Sequence, residues 1–225
     1  MLTEKLLEWS LIGAEWVLWL LVGLSLLSVG LVLDRLLLFS RTRERLGELE
    51  PRLIDALLRC DLEDVRQLLG RDSFVRNVLR AGVELIEKRV LDPGSVEQAM
   101  MGALARERAR YEARLTPLGT IGANAPFIGL FGTVLGIIQA FHQMGQMGSG
   151  ATQGSNEMVM AAIGEALIAT AVGILVAIPA VAAFNWAKAS IGSRVKNAES
   201  LMRAVLSGLG RFECVEPEAA LESEG

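Results

Sequence analysis

A chain of 225 residues that is 52% hydrophobic but only 5% aromatic, with a mean hydropathy of +0.40, is too apolar for an ordinary soluble domain and reads as a membrane protein. Its net charge of −4 is spread as Lys and Arg interleaved with Asp and Glu, which excludes a nucleic-acid-binding surface. Cys60 and Cys214 have no neighbouring Cys or His, so no metal site and no cofactor are expected, and both read as free thiols on the reducing side of the membrane.

Residues 1–10 are expected to form a short N-terminus ahead of a first span at 11–33. That stretch is 23 residues long with Glu15 as its one charge, enough at about 1.5 Å per residue to cross a hydrocarbon core of roughly 30 Å. The preceding Glu4, Lys5 and Glu8 are not net basic and the apolar run is longer than a signal core, so it reads as a span rather than a cleaved leader. Trp9, Trp16 and Trp19 gather toward one end of a Leu- and Val-rich helix, a composition suited to lipid contact and interfacial anchoring.

Residues 34–117 read as a helical segment outside the membrane. The apolar spacing in "LIDALLRCDLEDVRQLL" predicts a helix, Gly70 to Ser73 a break, and "DPGSVEQA" a new start through Asp92 and Pro93 or through Ser95 with Gln98. No breaker follows before Pro117, so this helix is expected to run on into the membrane, kinked near Pro117 and Pro126. The second span is placed at 118–141, a Gly-rich loop at 142–157 and the third span at 158–187, where Glu165 is the one charge. Residues 188–225 are expected to form a C-terminal helix followed by a tail, "CVEPEAALESEG", of disordered composition.

The loop between spans two and three carries neither Lys nor Arg, whereas Arg41, Arg43 and Arg45 follow span one, Arg106, Arg108, Arg110 and Arg114 precede span two, and Lys188, Arg194 and Lys196 follow span three. The positive-inside rule then puts the N-terminus and the Gly-rich loop outside, with 34–117 and 188–225 cytoplasmic. The arginines at 106, 110 and 114 share one helix face and are candidates for meeting acidic residues of neighbouring subunits or lipid headgroups, with a solvated face as the alternative.

Spans two and three differ in kind from span one. Gly122, Ala125, Gly129, Gly132, Gly136 and Ala140 recur every three or four residues in span two, and Ala162, Ala166, Ala169, Gly173, Ala177 and Ala180 do so in span three. Such small-residue stripes let helix backbones approach closely. One chain offers little partner surface for two of them, so a ring of copies, with span one outside, is the economical assembly and a three-helix monomer the alternative. By residue counting, Thr133 and Thr170 lie roughly 12 to 15 Å below the outer surface, with Glu165 about 7.5 Å nearer the outside. Glu165 is costly at this depth and therefore a functional candidate. The threonines taken alone read as structural, because such hydroxyls commonly bond their own helix. His142 and Glu15 read as interfacial polar groups.

The motifs "APFIGLFGTVLGII" in span two and "IGEALIATAVGILVAIPAVAAFN" in span three closely resemble the ExbB and TolQ proton-channel family, to which the four-span flagellar stator MotA is a more distant relative. The resemblance implies an all-α integral membrane protein of the bacterial inner membrane. It implies three transmembrane helices with long helical cytoplasmic extensions, a periplasmic N-terminus and assembly as a pentamer. The ring would enclose two transmembrane helices of an ExbD-like or TolR-like single-span partner bearing a membrane aspartate, and would work with a TonB-like or TolA-like force transmitter. Matched residue by residue, Thr133 and Thr170 correspond to the family's pore threonines, Glu165 to its intramembrane glutamate and Asn185 to a polar position near the inner end. The implied activity is coupling of the proton motive force to work at the outer membrane or envelope, whether siderophore-type import, Tol-type maintenance or gliding motility. A secondary transporter would require inverted repeats that three spans do not offer, and a structural scaffold would leave Glu165 unexplained. An enzyme lacks a nucleophile, base or metal cluster to carry it.

Overall fold

The computed structural model describes residues 15–42, 46–59, 61–88, 90, 92–113, 115–146 and 153–212, and all regular structure among them is helical. In chain order the helices are α1 Glu15–Arg41, α2 Leu46–Leu58, α3 Leu62–Leu68, α4 Phe74–Glu87, α5 Pro93–Glu112, α6 Leu115–Gln146 and α7 Gln153–Phe212. Three of them, α1, α6 and α7, are long and apolar enough to cross a membrane. The expected N-terminus at 1–10, Trp9, Arg43, Arg45, Cys60, Arg114, the tip of the Gly-rich loop, Cys214 and the acidic tail lie outside the described residues.

The chain divides into two compact units, the first made of Met1–Leu36 with Arg114–Ala187. Its core joins Val17 and Leu21 of α1, Leu118, Ile121, Ala125 and Leu135 of α6, and Val176, Ala177 and Ala180 of α7. Burying these apolar side chains between helices leaves the opposite side of α1 facing outward, with Trp19 and Leu26 exposed by 75% and 71%. The rings of Trp16 and Phe131 meet edge-on at 6.2 Å, an arrangement favoured by the aromatic quadrupole. Pro126 and Pro179 lie inside α6 and α7, which continue through them despite the lost N–H donors. Membrane helices tolerate proline where packed neighbours hold the freed backbone.

The second unit comprises Leu37–Ala113 and Lys188–Gly225. In α4, Phe74, Val75, Val78, Leu79, Val83 and Ile86 are buried, a 3.6-residue period that gives the helix one apolar face. Gly82 on that face admits Met100 of α5, whose Cγ and Sδ would lie 2.7 Å from a Cβ there. Of the two starts the sequence offers α5, the structure takes Asp92 and Pro93. Asp92 accepts hydrogen bonds from the Ser95 N–H and hydroxyl, both at 2.7 Å, while Pro93 fills a first-turn position that has no use for an N–H. Those two bonds hold the Asp92 carboxyl below its usual pKa.

One expectation is corrected here. Helix α5 does not run on into the second span: it ends at Glu112, with Ala113 in an extended cap conformation at ψ 141°, and α6 begins at Leu115. Pro117 explains the break, because in a continuous helix it would neither bond to the carbonyl of residue 113 nor clear it sterically. The proline stops a helix four residues upstream instead of kinking it. Arg110, one of the arginines that share a face with 106 and 114, has a partner within its own chain. Its guanidinium donates to both carboxylate oxygens of Asp72 in its own chain, at 3.2 and 3.0 Å. Arg110, helped by Asn77, lowers the Asp72 pKa to about 2.

Arg194 organises another part of this unit. It donates to the Thr42 hydroxyl at 2.9 Å, the Thr42 carbonyl at 3.2 Å and the Phe39 carbonyl at 3.3 Å, closing carbonyls at the end of α1 that lack helical partners. The same guanidinium lies 4.9 Å from the centre of the Phe39 ring and 5.2 Å from that of Tyr111, within cation–π range. Tyr111 is fully buried, edge-on to Phe39 at 5.8 Å and to Phe74 at 5.3 Å. Burial raises its phenol pKa.

Candidate functional site

The α6 and α7 backbones touch along their small residues. A Cβ added to Gly129 would fall 2.6 Å from the Ala169 carbonyl oxygen and 3.0 Å from the Thr170 Cα. One added to Gly173 would fall 2.6 Å from the Ala125 oxygen and 3.1 Å from the Gly129 Cα. Distances under 3 Å leave no room for any side chain, so glycine is required at both places. The seam extends toward the α6 C-terminus through Gly132 against the Ala169 Cβ at 2.8 Å and Gly136 against the Ala166 Cβ at 2.6 Å, and toward the α6 N-terminus through Gly122 against Val181. Ala125, Gly129, Gly132, Gly136 and Ala140 are buried, as are Ala166, Ala169, Gly173, Ala177 and Ala180, while Ala162 is half-buried. The two stripes thus find their partner surface in each other, within one chain.

These contacts fix an antiparallel register. Thr133 follows Gly132, which faces Ala169, and Thr170 follows Ala169, so the two threonines stand at the same level of the helix pair. Glu165 precedes Ala166, which faces Gly136, and so stands about one turn further along. Their surroundings differ. Thr133 is 7% exposed and its hydroxyl donates to the Leu130 carbonyl at 2.7 Å. Thr170 is half-buried, and its Oγ1 is shielded from solvent without a hydrogen-bond partner among the described residues. Glu165 is exposed on the protomer, as are Asn185 and Glu15, and His142 is half-buried.

The outer face of the pair is strongly apolar: Phe127, Phe141, Leu167, Leu175 and Ile178 are each at least 60% exposed. A hydrophobic face of this size suits lipid or other helices rather than water. Polar groups that sequence matching passes over also lie on this unit, namely Thr116, Thr120 and Asn124 of α6, all exposed. Their four-residue spacing, which puts them on one helix face, is visible in the sequence.

Three membrane-length helices, two of them locked by glycine contacts with Thr133 and Thr170 at one level of the pair, define an all-helical membrane protein. Residues 70–200 match the MotA/TolQ/ExbB proton channel family, and the chain belongs to that family. It is 33% identical over 195 residues to the Tol-Pal system protein TolQ of Pseudomonas aeruginosa, a match covering 79% of this chain and 81% of that protein. It is 32% identical over 188 residues to the biopolymer transport protein ExbB of Salmonella typhimurium, covering 77% and 73% of the two chains. To the ExbB of Xanthomonas campestris pv. campestris it is 47% identical over 91 residues, 40% of this chain and 34% of that one.

Proposed function

We propose that this chain is the ring-forming, proton-conducting subunit of an inner-membrane motor that converts the proton motive force into work at the outer membrane or envelope. Five copies surround two transmembrane helices of an ExbD-like or TolR-like partner, the N-terminus is periplasmic, and residues 34–117 and 188–225 are cytoplasmic. A TonB-like or TolA-like protein carries the force onward. The observation that carries this reading is the shared level of Thr133 and Thr170, with Glu165 one turn away, in a chain of a proton channel family.

A threonine hydroxyl both donates and accepts but does not itself ionise near neutral pH. The titrating group at this level is therefore the partner's aspartate. The Thr170 hydroxyl, without a partner among the described residues, is available to donate to that carboxylate. The Thr133 hydroxyl has its donor engaged by Leu130 and offers lone pairs. Glu165, exposed on the protomer, faces the ring interior or a subunit seam, where neighbouring helices and water offset its desolvation and its charge favours cations. The loop-and-arginine asymmetry of the sequence supports the orientation.

The test is co-expression with a single-span partner carrying a membrane aspartate, followed by native mass spectrometry and a proton-flux assay in vesicles. Five copies with two of the partner are expected, and Glu165→Gln is expected to lower flux while leaving the assembly whole. Monomer alone in mild detergent argues against the ring. Unchanged flux in an assembled Glu165→Gln complex removes Glu165 from the proton path.

A further inference from the structure

At the α6 N-terminal end of the spans, α1, α6 and α7 part to leave a cleft of about 350 Å³, within the size range of small-ligand pockets. Val32 of α1, Leu118 of α6, and Ala182, Ala183 and Trp186 of α7 give it apolar walls, and Arg35 of α1 is the one charged side chain among the described residues that lines it. Leu118 and Ala183 are each fourteen residues from the facing pair Gly132 and Ala169, roughly 21 Å along the helices. With the hydroxyl level counted at roughly 12 to 15 Å below one surface of a core about 30 Å thick, the cleft stands at the opposite edge of that core. Half-exposed Trp186 suits the headgroup level there.

Arg35 is 7% exposed, and a guanidinium keeps its charge wherever it is buried. Its Nε and Nη2 donate to Asp34 Oδ2 at 3.2 and 2.7 Å, yet the half-exposed Asp34 side chain lies outside the cleft lining. The cleft thus offers hydrocarbon walls and one positive charge at the membrane surface. Water does not fill such walls, because it finds no polar partners on them. A second copy does not match the charge: residues 115–125 of α6 and 176–190 of α7, which stand at this depth in the helices that would close the proposed ring, contain no Asp or Glu. A phospholipid supplies both halves, an acyl chain for the walls and a phosphate for the guanidinium, a charge-assisted pairing stronger than one between neutral groups.

We propose that this cleft holds one phospholipid per protomer, its phosphate on Arg35 and the upper part of one acyl chain between Val32, Leu118 and Ala183. The lipid fills the gap where the three helices part and fixes α1 against the α6–α7 pair at the membrane surface. The site depends on the spans and their depth, not on the direction of insertion or the proton path, and stands or falls apart from proton conduction.

Native mass spectrometry of the detergent-solubilised full-length chain, stripped of lipid and then titrated with dioleoyl phosphatidylglycerol, dioleoyl phosphatidylethanolamine or dioleoylglycerol, tests it. One phospholipid per protomer is expected, with both phospholipids held at least about tenfold more tightly than the uncharged diacylglycerol. Ala182→Phe, which places a ring in the cleft, is expected to lose the bound phospholipid. Asp34→Asn with Arg35→Gln, which removes both charges together, is expected to bring phospholipid and diacylglycerol within about twofold of each other. Phospholipid retained by Ala182→Phe as by the parent, or a tenfold preference that survives the loss of Arg35, overturns the site. A parent that takes up no lipid while Ala182→Phe dissociates its oligomer overturns it too, and gives the cleft to a second copy. The parent's own preference and the Ala182→Phe variant keep the comparison available should the double variant fail to fold.

Discussion

At the scale of single residues, Thr170 shows where stability and work part company. A buried hydroxyl without a hydrogen-bond partner costs a protomer roughly 1–3 kcal/mol, and the Thr170 hydroxyl has no such partner among the described residues. Valine keeps the shape and removes the cost. Thr170→Val is therefore expected to leave thermal stability unchanged or raised by up to about 1 kcal/mol, while lowering proton flux. A melt in detergent beside a vesicle assay reads both, and a stability loss of the kind a cavity causes would show the hydroxyl to be structural. Asp72 gives a contrasting case in the second unit. Its carboxyl is held at about 2 by Arg110 and Asn77, below the ordinary 3.8, so its stabilising contribution is present above about pH 4 and fades as pH falls toward 2. Both partners of this ion pair are substantially exposed, at 61% and 47%. Asp72→Asn is accordingly expected to cost less than about 1 kcal/mol at neutral pH, a difference that closes on acidification. Unfolding curves across that pH range check it, and a gap that widens toward acid would contradict the assignment.

At the scale of elements, the α6–α7 seam is the part that tolerates least. A side chain at Gly129 meets backbone at 2.6 Å, and one at Gly132 is caught between Ala169 at 2.8 Å and Val17 at 3.1 Å. Backbone cannot rotate out of the way. Gly129→Leu and Gly132→Leu are expected to cost at least about 1–3 kcal/mol through overpacking and to reduce the yield of folded protein. Leu26→Ala, on a residue 71% exposed, is expected to change stability by less than about 0.5 kcal/mol. Denaturant unfolding of the three variants checks the ranking, and equal stabilities would displace the seam from these residues. The spans and the small-residue stripes are legible in the sequence because uninterrupted apolarity and three- or four-residue spacing are local properties. The break at Ala113 was legible only in part: Pro117 signals a disruption, but whether a helix kinks or stops depends on packing that no local pattern encodes. The Asp72–Arg110 pair and the Arg194 contacts with Phe39, Thr42 and Tyr111 were not legible, since they join residues 38, 152 and 155 positions apart and onto a buried tyrosine. No spacing rule reaches that far.

At the scale of the whole molecule, the two small-residue stripes are already consumed inside each protomer, so the proposed ring would be closed by the apolar outer faces of α6 and α7. Phe127, Leu175 and Ile178, exposed by 67%, 70% and 64%, are the side chains available for copies and partner helices to cover. In the assembly proposed here, each protomer brings an α6–α7 pair locked by glycine contacts. Its central claim is that the hydroxyl level of Thr133 and Thr170 serves proton passage rather than packing. The measurement that meets it most directly is pH-gradient-driven proton flux in vesicles holding the partner-containing complex, compared between the parent chain and Thr133→Val with Thr170→Val at matched, verified assembly. A drop of about tenfold or more, equivalent to about 1.4 kcal/mol on the barrier, is the predicted result. Flux equal to that of the parent, in rings of unchanged composition, would contradict it.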